Sequence, residues 1–219
     1  MRILTVPEDT ATLRTKSRPV EKIDAELLAL LKELGETLKK QKDPAGVGLS
    51  AIQVGRPVRA FAMLLPEQRQ KEEGRRKKEE QILRFYVNPE ITDHSKDMTL
   101  GEDLVDPPKD SSRSHLGGQE RLKPFLEGCL SIPDIYGPVL RWSWIKAKTM
   151  VIRENDLLDI SRHGRLDLQL IDVSLNGLEG RVFQHELDHL NGILFTDHVL
   201  RQGNRLCREE EKELVEMEM

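Results

Sequence analysis

The segment Asn176-Gly-Leu-Glu-Gly-Arg-Val-Phe-Gln-His-Glu-Leu-Asp-His-Leu-Asn-Gly192 decides the reading of the chain. Asn176 is a residue type that caps helices and Gly192 suits the left-handed residue that ends one, so the spacing predicts a helix running to about Leu190. Within it, His185-Glu-Leu-Asp-His189 is an H-E-x-x-H pattern. Residues four apart share a helical face, so both imidazoles can reach one cation while the Glu186 carboxylate projects near the position left open for a reactant. The pattern alone also fits two surface histidines.

Two histidines leave a catalytic site short of a ligand, because such sites add a further protein donor and keep one position free. His198 follows downstream but lacks the H-x-x-G-x-x-H spacing of the metallopeptidases that recruit one there. Upstream, Glu127-Gly-Cys-Leu-Ser131 places a thiol directly after a glycine. The glycine lets backbone approach closely, and thiolate is a strong ligand for Fe²⁺ or Zn²⁺; a small buried hydrophobe is the other reading of Cys129. A third motif, Gly46-Val-Gly-Leu-Ser-Ala-Ile-Gln53, lacks the spacing of a nucleotide loop. It suits backbone that hydrogen-bonds an extended peptide, with the Gln53 amide suited to a developing oxyanion.

Working outward, Asp24 is the expected N-cap of a helix over residues 24–41, with Leu27, Leu30, Leu31, Leu34 and Leu38 on one stripe. Val58–Leu64, Ile82–Val87, Ile145–Ile152 and Leu166–Leu170 read as strands by alternation or by branched and aromatic content. Glu67–Glu80 is a solvated run of nearly cancelling charge, and Asp93–Pro124, with Pro107-Pro108 and Gly117-Gly118, is a long irregular loop. The Glu-rich tail after Leu200 reads as a solvated terminal helix. Cys207, on that tail, has no partner motif.

The chain has 219 residues with 34 Lys+Arg against 38 Asp+Glu, a formal net charge of −4. Without a basic surplus there is no electrostatic case for a dedicated nucleic-acid binder. The longest apolar runs fall far short of a membrane span, so the chain is expected to be soluble with no membrane partner. Two cysteines do not make a disulfide framework. The cytoplasm is the expected compartment, or an organelle matrix if a transit peptide is missing from the sequence.

Taken in order, Gly46–Gln53, Glu127–Ser131 and Gln184–Gly192 closely resemble the three signature motifs of the peptide deformylase family. The likeness extends to Leu13-Arg14 with Pro19-Val20, to Asn88-Pro-Glu-Ile91 and to Ile193-Leu-Phe195. It departs at Ile52, where the family commonly has proline, in insertions at about 66–82 and 93–124, and in a longer loop at 153–165.

The resemblance implies an α+β fold, a single catalytic domain over 1–219 with antiparallel sheets around a central helix that carries the H-E-x-x-H motif. It implies removal of the N-formyl group from formyl-methionine at the start of nascent polypeptides, met at the ribosome, with release of formate. By motif position Cys129, His185 and His189 would hold one divalent metal per chain. That would be Fe²⁺ in cells, with Zn²⁺, Ni²⁺ or Co²⁺ as substitutes in purified protein. Glu186 would move the proton, and the Gln53 amide and Leu130 N–H would meet charge on the formyl oxygen. Backbone at Val47, Gly48 and Gly128 would line up with the peptide, and Val47, Leu178 and Arg181 would flank the methionine pocket. Glu127 and Arg141 would form a buried salt bridge behind Cys129. Two rivals are an H-E-x-x-H zinc metallopeptidase, which needs a ligand downstream of His189, and a non-catalytic ribosome-associated relative.

Overall fold

The computed structural model describes residues 1–42, 45–66, 81–101, 104, 124–157, 169–211 and 213–217. After a short turn α1 (Thr10–Leu13), helix α2 runs Ala25–Lys40. Its start is fixed by the Asp24 carboxylate, which accepts from the Leu27 N–H at 2.9 Å and so satisfies a donor that the first helical turn cannot. The five leucines spaced three and four apart are all buried. Lys39 and Lys40 in the last turn sit favourably at the negative end of the helix.

In chain order the strands are β1 (Gly48–Ser50), β2 (Ala60–Pro66), β3 (Gln81–His94), β4 (Met98–Thr99), β5 (Leu126–Cys129), β6 (Ile132–Pro138), β7 (Arg141–Trp142), β8 (Trp144–Arg153), β9 (Ile171–Asn176), β10 (Cys207–Glu210) and β11 (Glu213–Glu216). Helix α3 (Gly177–Leu190) follows β9, and α4 (Phe195–Arg201) follows α3. An antiparallel sheet has the order β1-β2-β3-β8-β9, a second β11-β10-β6-β5, and β4 pairs with β7.

Strands β1 and β2 and the first half of β3 are largely buried, and the pleat sorts their side chains between two helices. Ala60, Ala62, Leu64, Leu83, Phe85 and Val87 pack with the α2 leucines. Their alternates Phe61, Met63 and Tyr86 pack with Val182, Phe183, Leu187 and Leu190 of α3. Phe61 and Tyr86 stack at 5.1 Å, and Phe183 meets them edge-on at 5.2 and 5.3 Å. This aromatic trio seats the middle of α3 against the sheet, so the turn after it presents His185 and Glu186 at a fixed height. A third cluster, Leu13, Ile132, Val139, Leu194, Phe195 and Val199, joins the second sheet to α4.

Several expectations need correction. Among its described residues from 207 to 216 the tail forms strands, not a helix: β10 pairs with β11 and adds to β6, with Glu211 at φ 50 between β10 and β11. The strand before α3 is Ile171–Asn176, and Gln169 and Leu170 precede it outside any strand. Strand β3 passes through Pro89 to His94, because Asn88 at φ 51 sits in a bulge where the pairing register with β8 shifts. Strand β2 begins at Ala60, while Val58 bridges to Arg18. Asn176 stands at the N-cap of α3, but its side chain makes no capping hydrogen bond. The run 67–80, most of 93–124 and residues 158–168 lie outside the described residues, apart from 93–101, 104 and 124.

Candidate active site

Three elements converge: the turn after β1, the β5–β6 turn and the last two turns of α3. The N-terminal segment ties the first two together, Leu4 N–H donating to the Gln53 carbonyl at 2.7 Å and Val6 N–H to the Ser131 carbonyl at 3.0 Å. The chain then brings Cys129 Sγ to 3.1 Å from His189 Nε2. Ligand atoms of Cys129, His185 and His189 all lie within 4.8 Å of one another.

This donor set fits a divalent cation. Burial alone would push the Cys129 thiol up, but the facing imidazoles of His189 and His185 hold it well below the ordinary thiol range, favouring the thiolate that binds metals. His185 uses Nδ1 on Glu127 Oε2 at 3.1 Å, so Nε2 is the nitrogen turned to the site. Glu186 Oε2 and His189 Nδ1 are buried with no hydrogen-bond partner among the described residues. Burial dominates at Glu186 and, against the pull of His185 and His189, pushes its pKa up to about 7, the range in which a carboxyl can both take and return a proton near neutrality.

The neighbouring groups are held by the backbone. Gln53 closes a single turn of 3₁₀ helix, Ala51–Val54, and its Oε1 accepts from both Ser50 N–H and Ser50 Oγ at 2.8 Å. That pair fixes the amide so that Nε2 points inward, 3.1 Å from Ser131 Oγ and 3.4 Å from Cys129 Sγ. Leu130 occupies the turn between β5 and β6, beside Cys129.

A cavity of about 490 Å³ opens onto the cluster, lined by Val47, Gly48, Gln53, Gly128, Cys129, Leu130, Leu178, Arg181, Val182, His185 and Glu186 among others. The Arg181 guanidinium is held by the protein itself. Nη1 donates to Glu127 Oε1 at 2.7 Å and to the Val139 carbonyl at 2.9 Å, and Nη2 to the Thr99 carbonyl at 2.8 Å. Glu127 also receives Arg141 through Nε at 2.7 Å and Nη2 at 2.8 Å. Burial opposes the Glu127 charge, yet Arg141 and His185 hold its carboxyl far below the usual range.

Sequence reasoning missed the second arginine on Glu127, a long-range pairing that leaves no motif, and the anchoring of Gln53 by Ser50, although Ser50-Ala-Ile-Gln53 has the S-x-x-Q spacing of a capping box. It also assigned nothing to Asp188, which receives Arg141 Nη1 at 2.8 Å and faces His198 Nε2 at 3.0 Å. His198, the nearest downstream histidine, thus bonds a carboxylate and is not in the three-ligand cluster.

Residues 1–205 match the family model described as polypeptide deformylase. A peptide deformylase of Caulobacter vibrioides is 34% identical over 202 residues, covering 91% of this chain and 88% of that protein. One of Phenylobacterium zucineum is 33% identical, with 91% and 87% covered. Among solved structures, a probable peptide deformylase from Synechococcus phage S-SSM7 superposes with a TM-score of 0.60 at 29% identity, over 90% of this chain and 99% of that one. Peptide deformylase 1B of Arabidopsis thaliana gives 0.59 at 29% identity, with 90% and 81% covered. The family match and these relatives place the chain among metal-dependent amide hydrolases, and its Cys-His-His cluster could hold the metal. The chain belongs to the polypeptide deformylase family, and its activity is the metal-dependent removal of an N-formyl group.

Proposed function

We propose that this chain removes the formyl group from the N-terminal formyl-methionine of nascent polypeptides, with Cys129, His185 and His189 holding one divalent cation. A cation there supplies positive charge that polarises the formyl carbonyl and makes adjacent water more acidic. Glu186 takes a proton from the attacking water, a C–O bond forms at the formyl carbon, and the C–N bond then breaks. Glu186 hands its proton to the leaving amine, and formate is released. Charge on the formyl oxygen is met by Gln53 Nε2, aimed by Ser50, and by the Leu130 N–H.

The observation that carries this reading is that one cavity is lined by Gln53, Cys129, His185 and Glu186, whose Oε2 has no hydrogen-bond partner among the described residues, and that His189 completes a three-donor cluster beside it. A purely structural metal site needs neither Gln53 nor Glu186. The peptide lies along Val47, Gly48 and Gly128, with the methionine side chain between Val47, Leu178 and Arg181.

The reading takes the whole chain as one catalytic domain, built around α3 as its central helix, with sequence insertions at about 66–82 and 93–124, of which 81–82 and 93–94 belong to strand β3 and 98–99 to β4 where described. The metal in cells is Fe²⁺, which a soft-and-nitrogen donor set accepts along with Zn²⁺, Ni²⁺ or Co²⁺. Among the described residues no helix is long and apolar enough to cross a membrane. The reading adds a cytoplasmic enzyme that meets its substrate at the ribosome without binding nucleic acid itself. Formate release from a formyl-Met peptide, assayed anaerobically with metal analysis of the same sample, tests it. Turnover that tracks metal content is the expected result, and a metal-loaded protein that releases no formate contradicts it.

A further inference from the structure

His185 is the inner end of a continuous line of contacts that runs to the protein surface. Its Nδ1 faces Glu127 Oε2 at 3.1 Å, and Glu127 is gripped along one edge of Arg141 at 2.7 and 2.8 Å. The remaining arm of that guanidinium, Nη1, donates to Asp188 Oδ2 at 2.8 Å, and the same oxygen faces His198 Nε2 at 3.0 Å. Side-chain exposure falls from 12% at His185, which borders the cavity, to 4% at Glu127 and Arg141, then rises to 18% at Asp188 and 27% at His198.

Two features show that the outer half bears on the metal ligands. The first is geometric: Arg141 is a rigid planar fork, and carboxylates hold it at both ends, so Asp188 sets the plane in which Glu127 and then the His185 ring must lie. The second is electrostatic. Glu127 takes two buried arginines, Arg141 and Arg181, and the partly buried Asp188 supplies the second negative charge that balances them. Neutralising Asp188 leaves an uncompensated positive charge beside ligands that must hold a cation.

We infer that Asp188 and His198 are positioning residues for the metal ligand His185, acting through Arg141 and Glu127 to fix its ring and keep the surroundings electrically fit for a divalent ion. The inference deepens the reading of Cys129, His185 and His189 as the ligands and rests on it. Loss of such outer partners typically lowers metal affinity by about 10–100-fold.

The test is Co²⁺ binding to the purified full-length chain, with affinity from competition against a chelator and the thiolate-to-cobalt absorption band as a reporter of ligand geometry. Asp188→Asn should weaken Co²⁺ binding by about tenfold or more and shift the band. His198→Gln should do the same to a smaller extent. Asp197→Asn, which disturbs the neighbouring helix start but not this line, should lower thermal stability with Co²⁺ affinity unchanged. A folded Asp188→Asn protein with wild-type affinity and band overturns the proposal. If Asp188→Asn does not fold, His198→Gln decides, and wild-type behaviour there overturns it. Weakened Asp188→Asn beside an unaltered His198→Gln overturns the assignment of His198. Wild-type protein that binds no Co²⁺ overturns the ligand reading, and this one with it.

Discussion

A Cβ at position 48 would lie 2.2 Å from Glu186 Oε1, closer than any side chain could sit without displacing that carboxylate. Gly48 therefore reserves the space in which Glu186 stands, and strand β1 and helix α3 approach each other closely at that point. Gly48→Ala should leave the fold and metal content intact while pushing the Glu186 carboxyl out of line. We expect turnover to fall by about 10² or more, approaching the loss of the general base itself. Formate-release kinetics with metal analysis of the same preparation check this, and full activity in the variant would mean that Glu186 can relocate without penalty.

The two thiols should separate cleanly. Cys129→Ala removes one of three clustered donors and should lose most bound metal and most activity together. Cys207 sits on β10 opposite Tyr136 and Glu216, where burial and the Glu216 charge push its pKa up and make it a poor nucleophile. Cys207→Ser should change neither quantity, and metal loss in that variant would mean that the wrong thiol has been assigned.

Acid should dissect the tie between the two ends of the chain. Asp197 accepts from the Leu194 N–H at 2.9 Å and from both terminal nitrogens of Arg14, one of them at 2.9 Å. Partial burial works against its charge, but Arg14 and the Leu194 N–H hold its carboxyl below the usual range. A lowered pKa in the folded state gives stability that is present above the unfolded value, about 3.9, and is lost as pH falls through the folded value. The pair is half exposed, so Asp197→Asn should cost only about 1 kcal/mol near pH 7. The difference from wild type should shrink to nothing in acid, as urea titrations at several pH values would show.

The aromatic trio under α3 predicts a larger effect. Phe183 is fully buried, and Phe183→Ala should cost about 3–5 kcal/mol in unfolding experiments. Because this residue seats the helix that carries His185, the variant should also lose metal more readily at equal folded fraction. Unchanged metal retention would argue that the helix is held in place by its ends alone.

Where local pattern and tertiary demand agree, the sequence was legible. The leucine stripe and Asp24 mark α2 to within a residue, and the H-E-x-x-H spacing with Gly192 marks α3, whose end Gly192 closes at φ 73 against the Arg14 backbone. Two of the three motifs, Glu127–Ser131 and Gln184–Gly192, carry the clustered donors Cys129, His185 and His189. The strand at 171–176 was misplaced for a definite reason. Apolar residues alternate at Leu166, Leu168 and Leu170, then change phase at Ile171, Val173 and Leu175, and the second phase pairs with β8. The tail misled because glutamate favours helix locally, while pairing with β6, including Tyr136 Oη donating to Glu209 Oε2 at 3.1 Å, draws it into a sheet. The contacts of Arg181, Asp188 and His198 were hidden because long-range pairing of charges leaves no spacing rule along the chain.

The account turns on Glu186 as the group that moves the proton, and Glu186→Gln tests that most directly. The amide keeps the volume of the carboxylate but cannot take a proton from water, a function usually worth about 10²–10⁴ in rate. Metal content and formate release from a formyl-Met peptide should be measured on one preparation. The account predicts near-normal metal with turnover reduced by at least about 10². Full turnover in the glutamine variant would contradict it.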